Sequence, residues 1–353
     1  MKKYGFGIIG CGVIADFHAN AVLELAAEAE LIGVCDVVYD AAEKFARRHG
    51  TKAFRNEEEL LACKDIDVVC ICTPSGYHHM SVVAAAKAGK NIICEKPLAI
   101  SKEQLDTIEK ICCESGVTVS VISQNRFSRA VEMTKKALDE GLLGRLVCAD
   151  IYMKYHRSQE YYDSGSWRGT KRIDGGGALM NQGIHGVDLL LYLAGDIKCV
   201  KAVSKTLVRN IEVEDTLAAV VEYKNGATGV IRATTSVYPG YPRRLELNGD
   251  KGSIALEEAS VVRWDIKDNA INEDIAVQPA LAGGYSTPTA ISTDGHIRQI
   301  ADMLRALRSG GKPLSGIADG RRLLDGGLAA FGGLYLLTRR GRDDLLRFFF
   351  SHF

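Results

Sequence analysis

The 353-residue sequence has no excess of either charge, because 44 Lys and Arg balance 44 Asp and Glu. A nucleic-acid-binding surface or a basic membrane-binding helix would need such an excess, so we expect neither partner. No apolar run reaches the ~18 residues that span a bilayer. The first residues also lack the apolar segment of a signal peptide. These absences favour a protein that acts on small molecules.

The ten cysteines include no Cys-x-x-Cys pair, so neither a zinc site nor a thioredoxin-like redox site is expected. His78 and His79 are adjacent and would point apart on a helix, which disfavours a shared metal. We therefore predict no metal. Several cysteines lie inside apolar runs and are interpreted as small buried hydrophobes. Free thiols in this number are typical of a reducing compartment, so we expect a cytoplasmic protein.

The sequence has no internal repeat, low-complexity segment or long linker, and its length predicts two domains. The first part alternates short apolar runs with helical patterns, which is typical of a parallel sheet covered on both faces. Its predicted strands are 4–9, 31–36, 68–73, 91–95 and 117–122. The second part has longer strands with alternating polarity, which favour an antiparallel sheet. These are 146–155, 200–208, 216–223, 228–233 and 243–248.

A glycine-rich run, Gly10-Cys11-Gly12-Val13-Ile14-Ala15, follows the first predicted strand and opens a predicted helix. It fits the dinucleotide fingerprint, in which Gly10 permits the tight turn and Gly12 lets the backbone approach the pyrophosphate. Asp36 ends the second strand about 20 residues later, where a carboxylate accepts hydrogen bonds from the ribose. A carboxylate there repels a 2′-phosphate, so NAD is favoured over NADP. The alternative is that Asp36 is a surface acid in a turn.

Further motifs resemble the glucose–fructose oxidoreductase, inositol dehydrogenase and rhizopine-catabolism family, abbreviated Gfo/Idh/MocA. Besides the fingerprint they are Thr73-Pro74-Ser75-Gly76-Tyr77-His78, Glu95-Lys96-Pro97, Gln124-Asn125-Arg126-Phe127 and the glycine-rich stretch 175–188. The resemblance spans about residues 4–325. The stretch 161–170 is most similar to members acting on nucleotide-linked amino-sugar uronates.

The resemblance implies an α/β fold with two domains. An N-terminal Rossmann domain with a parallel sheet, residues 1–123, would bind NAD. A C-terminal α/β domain with a large, open, mostly antiparallel sheet, residues 124–353, would bind substrate and mediate a homodimer or homotetramer. The implied reaction is oxidation of a secondary alcohol of a sugar, polyol or sugar nucleotide.

Such a reaction needs a general base, because the hydroxyl proton leaves as the hydride moves to the cofactor. Lys96 follows a predicted strand, at the sheet edge where α/β folds bind ligands. By itself, a lysine before proline indicates a solvated charge, but the resemblance places it beside the reacting hydroxyl. A free imidazole titrates near neutral pH and suits reversible proton transfer, and the family counterpart of His185 faces the substrate. We assign His185 as the general base, and the division of labour with Lys96 stays open.

Asn181 departs from the family pattern, in which many members have Asp four residues before the histidine. If residues 181 and 185 share one helical turn, they lie on the same face and converge on one substrate. An amide binds a hydroxyl but accepts no proton. This departure puts a carboxylate-assisted mechanism in doubt and leaves more of the task to Lys96 and His185.

Other candidates follow from the resemblance. We expect cofactor contacts from the fingerprint and Asp36, and also from Thr73, Pro74, His78, Glu95, Lys96 and Asn125. We expect substrate contacts from Arg126, Tyr155, Trp167, Arg168, Asn181 and His185, where an arginine suits a carboxylate or phosphate. The alternative for the aromatic residues is the core, and for the arginines the surface. His296 either reaches the site from a C-terminal helix or lies on the surface.

Residues 326–353 do not resemble the usual family ending and finish in a phenylalanine cluster. This segment either docks on the sheet, packs in a subunit contact or reflects an altered reading frame. Two other functions compete with the dehydrogenase. One is an NAD-dependent glycoside hydrolase that works by transient oxidation, and the other is a non-catalytic sensor that binds NAD or a sugar.

Overall fold

The computed structural model describes residues 2–267 and 292–332, with side chains described to residue 326. The phenylalanine cluster at the C-terminus, whose role was left open, lies outside the described residues. Within the described residues, no helix is both long enough and apolar enough to cross a membrane.

The first sheet has six strands in the order β3-β2-β1-β4-β5-β6, and all of its pairings are parallel. The strands are β1 (Tyr4–Ile9), β2 (Ala29–Cys35), β3 (Lys52–Ala53), β4 (Val68–Ile71), β5 (Asn91–Cys94) and β6 (Val119–Val121). The helices are α1 (Val13–Glu24), α2 (Tyr39–His49), α3 (Glu57–Ala62), α4 (His78–Lys87) and α5 (Lys102–Ser115). The strand order reverses between β1 and β4, which places a ligand crevice at their carboxyl ends.

The predicted parallel sheet is confirmed, and two of its elements went unpredicted. Strand β3 has only two residues and pairs at the edge of the sheet. Helix α3 begins with three glutamates, and only two of its residues are buried. Neither element carries enough apolar periodicity to be seen in the sequence.

The second sheet has seven strands in the order β13-β12-β11-β7-β10-β9-β8. They are β7 (Leu146–Lys154), β8 (Ile197–Lys205), β9 (Thr216–Tyr223), β10 (Thr228–Thr234), β11 (Arg244–Gly249), β12 (Gly252–Glu257) and β13 (Ser260–Ile266). Only β7 and β10 pair in parallel, so the prediction of a mostly antiparallel sheet is confirmed. Helix α6 (Arg129–Asp139) precedes β7, and helices α7 (Gln159–Asp163) and α8 (Ile184–Ala194) lie between β7 and β8 in the sequence.

Two C-terminal helices, α9 (Asp294–Ser309) and α10 (Ile317–Gly332), return to the first sheet. In α9, Ile300 and Met303 join the apolar core that surrounds β1 and α1. In α10, the consecutive residues Leu323 and Leu324 enter different cores, one under the second sheet and one under the first. Helix α10 therefore packs against both sheets and joins them.

Candidate active site

The loop between β1 and α1 has the geometry that the fingerprint predicts. Gly10 has φ +91°, and a Cβ there would lie 2.9 Å from the backbone of Cys72. Gly12 precedes α1, and a Cβ there would meet no atom within 4 Å. Ala15 is fully buried, whereas Val13 is exposed and Ile14 half-buried. The N-terminus of α1 therefore faces open space, where its N–H groups can bind a pyrophosphate.

Asp36 lies directly after β2. One carboxylate oxygen accepts the N–H of Cys11 and the other the N–H of Val38, each at 2.8 Å. These bonds hold the carboxylate beside the glycine-rich turn, where a ribose would lie. The next two residues, Val37 and Val38, are exposed and apolar, so neither offers a cation for a 2′-phosphate. The arrangement fits NAD.

The loops after β4 and β5 form the next part of the crevice. Thr73 and Pro74 are half-buried, and the Thr73 hydroxyl is buried without a hydrogen-bond partner, so a ligand could supply one. His78 instead lies beneath the loops, with ring nitrogens 2.7 Å from the carbonyl oxygens of Pro97 and Thr73. It is almost fully buried, so it ties the two loops together rather than lining the cofactor site directly as expected.

Lys96 follows β5, and its Nζ donates a hydrogen bond to the carbonyl oxygen of Asn181 at 3.3 Å. Burial lowers the pKa of Lys96, and the negative charges of Glu95 and Asp174 oppose that effect only in part. A lysine with a lowered pKa is suited to proton transfer as well as to hydrogen bonding.

His185 is the second residue of α8 and is half-buried. Desolvation of the ring, followed by the charge of Lys96, holds the pKa of His185 well below the usual value. The ring is therefore neutral at pH 7 and able to accept a proton. Because Lys96 lies within electrostatic reach of His185 and contacts Asn181, the structure brings the three predicted catalytic residues together.

Asn181 lies in a single π-helical turn, Ala178–Gln182, which Gly183 separates from α8. Residues 181 and 185 thus do not share one regular α-helical turn, contrary to expectation, because the chain changes its helical pitch between them. The Asn181 side chain donates a hydrogen bond through Nδ2 to Asp174. Such single π turns are frequent at functional sites.

Two buried carboxylates of this region were missed in the sequence. Glu214 accepts hydrogen bonds from the N–H groups of Gly177 and Leu179, each at 3.0 Å, and so anchors the π-helical turn. Burial raises the pKa of Glu214 to about 7 and that of Asp174 to about 6. Asp174 directly precedes the glycine run, which was the only sequence signal, and Glu214 is adjacent to no motif.

Arg126 was expected to contact the substrate, but the structure places its guanidinium inside the fold. Only 2% of the residue is exposed. The guanidinium makes two hydrogen bonds with Asp188, at 3.0 and 2.6 Å, and one with Asp319 at 2.9 Å. Arg126 instead joins the segment after β6 to α8 and α10. Its neighbour Asn125 is half-buried, and its contact with the cofactor stays a prediction.

The three remaining substrate candidates divide into two groups. Tyr155 belongs to the core under the second sheet and is hydrogen-bonded to Arg243. It therefore packs within the fold rather than presenting its side chain to a substrate. Arg168 is half-buried and stacks between Tyr161 and Trp167, with its guanidinium carbon 4.4 and 4.5 Å from the two ring centroids. Its Nε is buried without a partner, and its charge acts on Lys96. Arg168, stacked on Trp167, therefore lies within electrostatic reach of Lys96.

A cluster of His18, Glu95 and His296 lies behind Lys96. His18 Nε2 is 3.0 Å and His296 Nε2 3.7 Å from the same oxygen of Glu95. Burial raises the pKa of Glu95, but the contacts with both histidines hold it well below the usual value. His296 thus reaches the site from α9 and is fully buried. Two imidazoles and a carboxylate are also donors that suit zinc, so the absence of a metal stays a prediction.

Comparisons with known proteins agree with this geometry. Residues 4–123 match the family model described as an oxidoreductase family with an NAD-binding Rossmann fold. Residues 131–255 match the model of the GFO/IDH/MocA C-terminal domain.

Characterised relatives resemble nearly the whole chain. Inositol 2-dehydrogenase from Rhizobium meliloti is 26% identical, over 86% of this chain and 89% of that protein. Levoglucosan dehydrogenase from Pseudarthrobacter phenanthrenivorans is 27% identical, over 91% and 93%. The crystal structure of the WlbA dehydrogenase from Bordetella pertussis in complex with NADH and UDP-GlcNAcA is 30% identical. It superposes with a TM-score of 0.85 over 95% of this chain and 97% of that one.

The two family models together cover well over half of the chain, and the folds superpose along almost all of it. The glycine-rich turn, Asp36 and Lys96 each follow a strand of the one parallel sheet, and the charge of Lys96 acts on His185. The chain belongs to the Gfo/Idh/MocA family of NAD-dependent oxidoreductases.

Proposed function

We propose that the protein transfers a hydride between NAD and a secondary alcohol of a sugar, polyol or sugar nucleotide. One observation carries the proposal. Lys96 follows β5 in the same parallel sheet that carries the dinucleotide-binding turn, its charge acts on His185, and the pKa of each side chain is lowered. The relatives named above as inositol and levoglucosan dehydrogenases support the same substrate class.

Each residue then has a definite task. NAD bound along the β1–α1 turn supplies the hydride acceptor. The neutral imidazole of His185 takes the hydroxyl proton as the carbonyl forms. Lys96 donates a hydrogen bond to the same oxygen and stabilises the negative charge that develops on it. In the reverse direction His185 returns the proton, so the same pair serves both directions.

Within this class, we favour a substrate with an anionic group, such as a uronate or its sugar nucleotide. Arg168 presents a buried Nε without a partner in the described residues, and its stacking on Tyr161 and Trp167 fixes the guanidinium plane. A preoriented guanidinium is suited to a carboxylate or a phosphate. The complex of the WlbA dehydrogenase with UDP-GlcNAcA gives a relative of this kind.

We also propose that the domain boundary lies near residue 123. The protein is further proposed to form a homodimer or homotetramer. Val203 and Val220 are at least half exposed and lie on the face of the second sheet that points away from its core. Light scattering of the purified protein would measure the subunit number, and a monomer at micromolar concentration would contradict the proposed assembly.

The function is tested by titrating NAD and NADP, and then by following reduced-cofactor absorbance with a panel of sugars, polyols, uronates and sugar nucleotides. We expect selective NAD binding and turnover of one class. Lys96→Ala and His185→Ala should each lose at least about 100-fold in kcat, because general acid–base catalysis contributes that much. The exposed Lys87→Ala on α4 is the matched control and should keep full activity.

The outcomes separate the three functions. Release of free sugar from a glycoside without net NADH would replace the dehydrogenase with a hydrolase that oxidises its substrate transiently. Tight NAD binding without turnover of any compound would favour a sensor. Failure to bind either NAD or NADP would contradict the proposed dehydrogenase function altogether.

A further inference from the structure

Residue 181 lacks the carboxylate that many family members have, yet a carboxylate is present next to it. Asp174 is 2% exposed, and one of its oxygens accepts a hydrogen bond from Nδ2 of Asn181. Its other oxygen accepts the N–H of Gly169 at 2.8 Å. The negative charge of Asp174 also acts on Lys96, whose Nζ donates to the carbonyl oxygen of Asn181. Lys96, Asn181 and Asp174 therefore form one polar chain.

The direction of the bond decides what Asn181 offers to a substrate. An ionised carboxylate only accepts hydrogen bonds, so the amide must turn its NH₂ group toward Asp174. The amide oxygen of Asn181 then points the other way, and the half-buried residue can present it to a hydroxyl. If Asp174 were neutral, its O–H could donate a hydrogen bond to the amide oxygen of Asn181. The opposite orientation of the amide would then be equally stable.

From this geometry we infer that Asp174 is a positioning residue, which orients the Asn181 amide toward the substrate hydroxyl and supplies beside Lys96 the negative charge that residue 181 lacks. The inference rests on the proposed dehydrogenase function. Asp174 acts through Asn181 and Lys96 and does not itself take the substrate proton. The carboxylate thus lies at position 174 of the chain rather than at position 181.

The charged groups around Asp174 make the arrangement sensitive to pH. Burial raises the pKa of Asp174 to about 6, and the hydrogen bonds from Gly169 and Asn181, followed by the charges of Lys96 and Arg168, keep it from rising further. Glu214 and the hydroxyls of Tyr161 and Tyr162 also face this carboxyl group. At pH 7 Asp174 is mostly ionised and the amide is fixed. As the pH falls through about 6 the carboxyl takes a proton, so we expect kcat to fall in this range.

The test exchanges the two side chains. Asp174→Asn removes the charge but keeps an oxygen for the N–H of Gly169. We expect kcat to fall by about 10- to 100-fold, since a hydrogen bond to a charged group contributes about 1.5–3 kcal/mol. Asn181→Asp sets two carboxyl groups against each other and should fall similarly. The double variant restores one carboxylate and one amide in reversed order, and should recover to within about fivefold of the wild type.

Three readouts distinguish positioning from a purely structural role. The Kd for NADH should stay within about twofold in all four proteins, because the bond lies on the substrate side of the site. The fall of kcat near pH 6 should be absent from Asp174→Asn. A purely structural role would leave the fall of kcat near pH 6 in place in Asp174→Asn. That result, or a folded Asp174→Asn protein with unchanged kcat, would overturn the inference.

Failure of the proposed function is recognised separately, since the wild type would then turn over no compound in the panel. In that case the four proteins are compared by urea unfolding. Non-additive unfolding free energies with recovery in the double variant would support the Asp174–Asn181 pair as the fixed element of the site. Additive unfolding free energies would overturn it.

Discussion

The two sides of the crevice present their functional atoms in different ways. On the dinucleotide side most of the binding groups belong to the backbone, namely the turn at Gly10 and Gly12 and the N-terminus of α1. The carboxylate of Asp36 is itself held by two backbone N–H groups. On the substrate side, by contrast, the chemistry belongs to side chains such as Lys96 and His185, which buried partners hold in place. A backbone site is encoded within one short segment, whereas a side-chain site depends on residues far apart in the sequence.

The largest expected effect concerns Arg126, which joins the two sides. Its guanidinium and the carboxylate of Asp188 are both almost fully buried, and Asp319 adds a further bond from α10. Arg126→Ala would leave the Asp188 carboxylate buried without its cation, so we expect a loss of about 3–5 kcal/mol in the free energy of unfolding. Urea unfolding measures this loss.

A matched control for Arg126 is Arg47→Ala, which removes an exposed ion pair with Glu43 within α2. It should change the free energy of unfolding by less than about 0.5 kcal/mol. A loss of the same small size in Arg126→Ala, together with weaker substrate binding, would restore the arginine to the substrate-binding role first expected of it.

The next effect separates the two glycines of the backbone site. Gly10→Ala places a Cβ 2.9 Å from the backbone of Cys72 at φ +91°, so it should cost about 2–3 kcal/mol of stability and weaken NAD binding. Gly12→Ala meets no atom and has an ordinary φ of −78°, so the fold should keep its stability. The added methyl group would nevertheless occupy the space of the pyrophosphate, and the Kd for NAD should rise at least about tenfold.

Thermal unfolding and NAD titration of both glycine variants provide the measurement. If Gly12→Ala bound NAD normally, the pyrophosphate would have to lie elsewhere, and the fingerprint would be a structural turn only. If both variants lost stability equally, the contrast between the two positions would be wrong.

This contrast also explains what the sequence could predict. The fingerprint, the parallel sheet and Asp36 follow from local patterns, because a strand, a turn and a helix N-terminus are contiguous in the chain. Lys96 and His185 were recognised through motifs of the family. Asp174 and Glu214 were missed, since their importance comes from burial and from partners that the fold brings near. Arg126 was misplaced for the same reason, because its partners Asp188 and Asp319 lie on distant helices.

The last prediction tests how a buried carboxyl group holds the substrate side. The fold raises the pKa of Glu214 from 4.5 to about 7, with burial as the main cause and the charge of Asp174 as a further one. A raised pKa in the folded state means that folding favours the protonated form. The resulting stability is fully present below about pH 4.5 and is lost as the pH rises through 7. This rise of the pKa from 4.5 to about 7 corresponds to about 3 kcal/mol through the linkage relation.

We therefore expect the wild type to lose stability between pH 4.5 and 7, and Glu214→Gln to show a flatter dependence over this range. The exposed Glu140→Gln at the end of α6 serves as the control and should keep the wild-type slope. Urea unfolding at several pH values gives the comparison. Equal slopes in the wild type and Glu214→Gln would mean that folding leaves the pKa of Glu214 at its ordinary value. The two backbone N–H groups of Gly177 and Leu179 would then offset the effect of burial on the carboxylate, and the substrate side would be held by backbone groups as the dinucleotide side is.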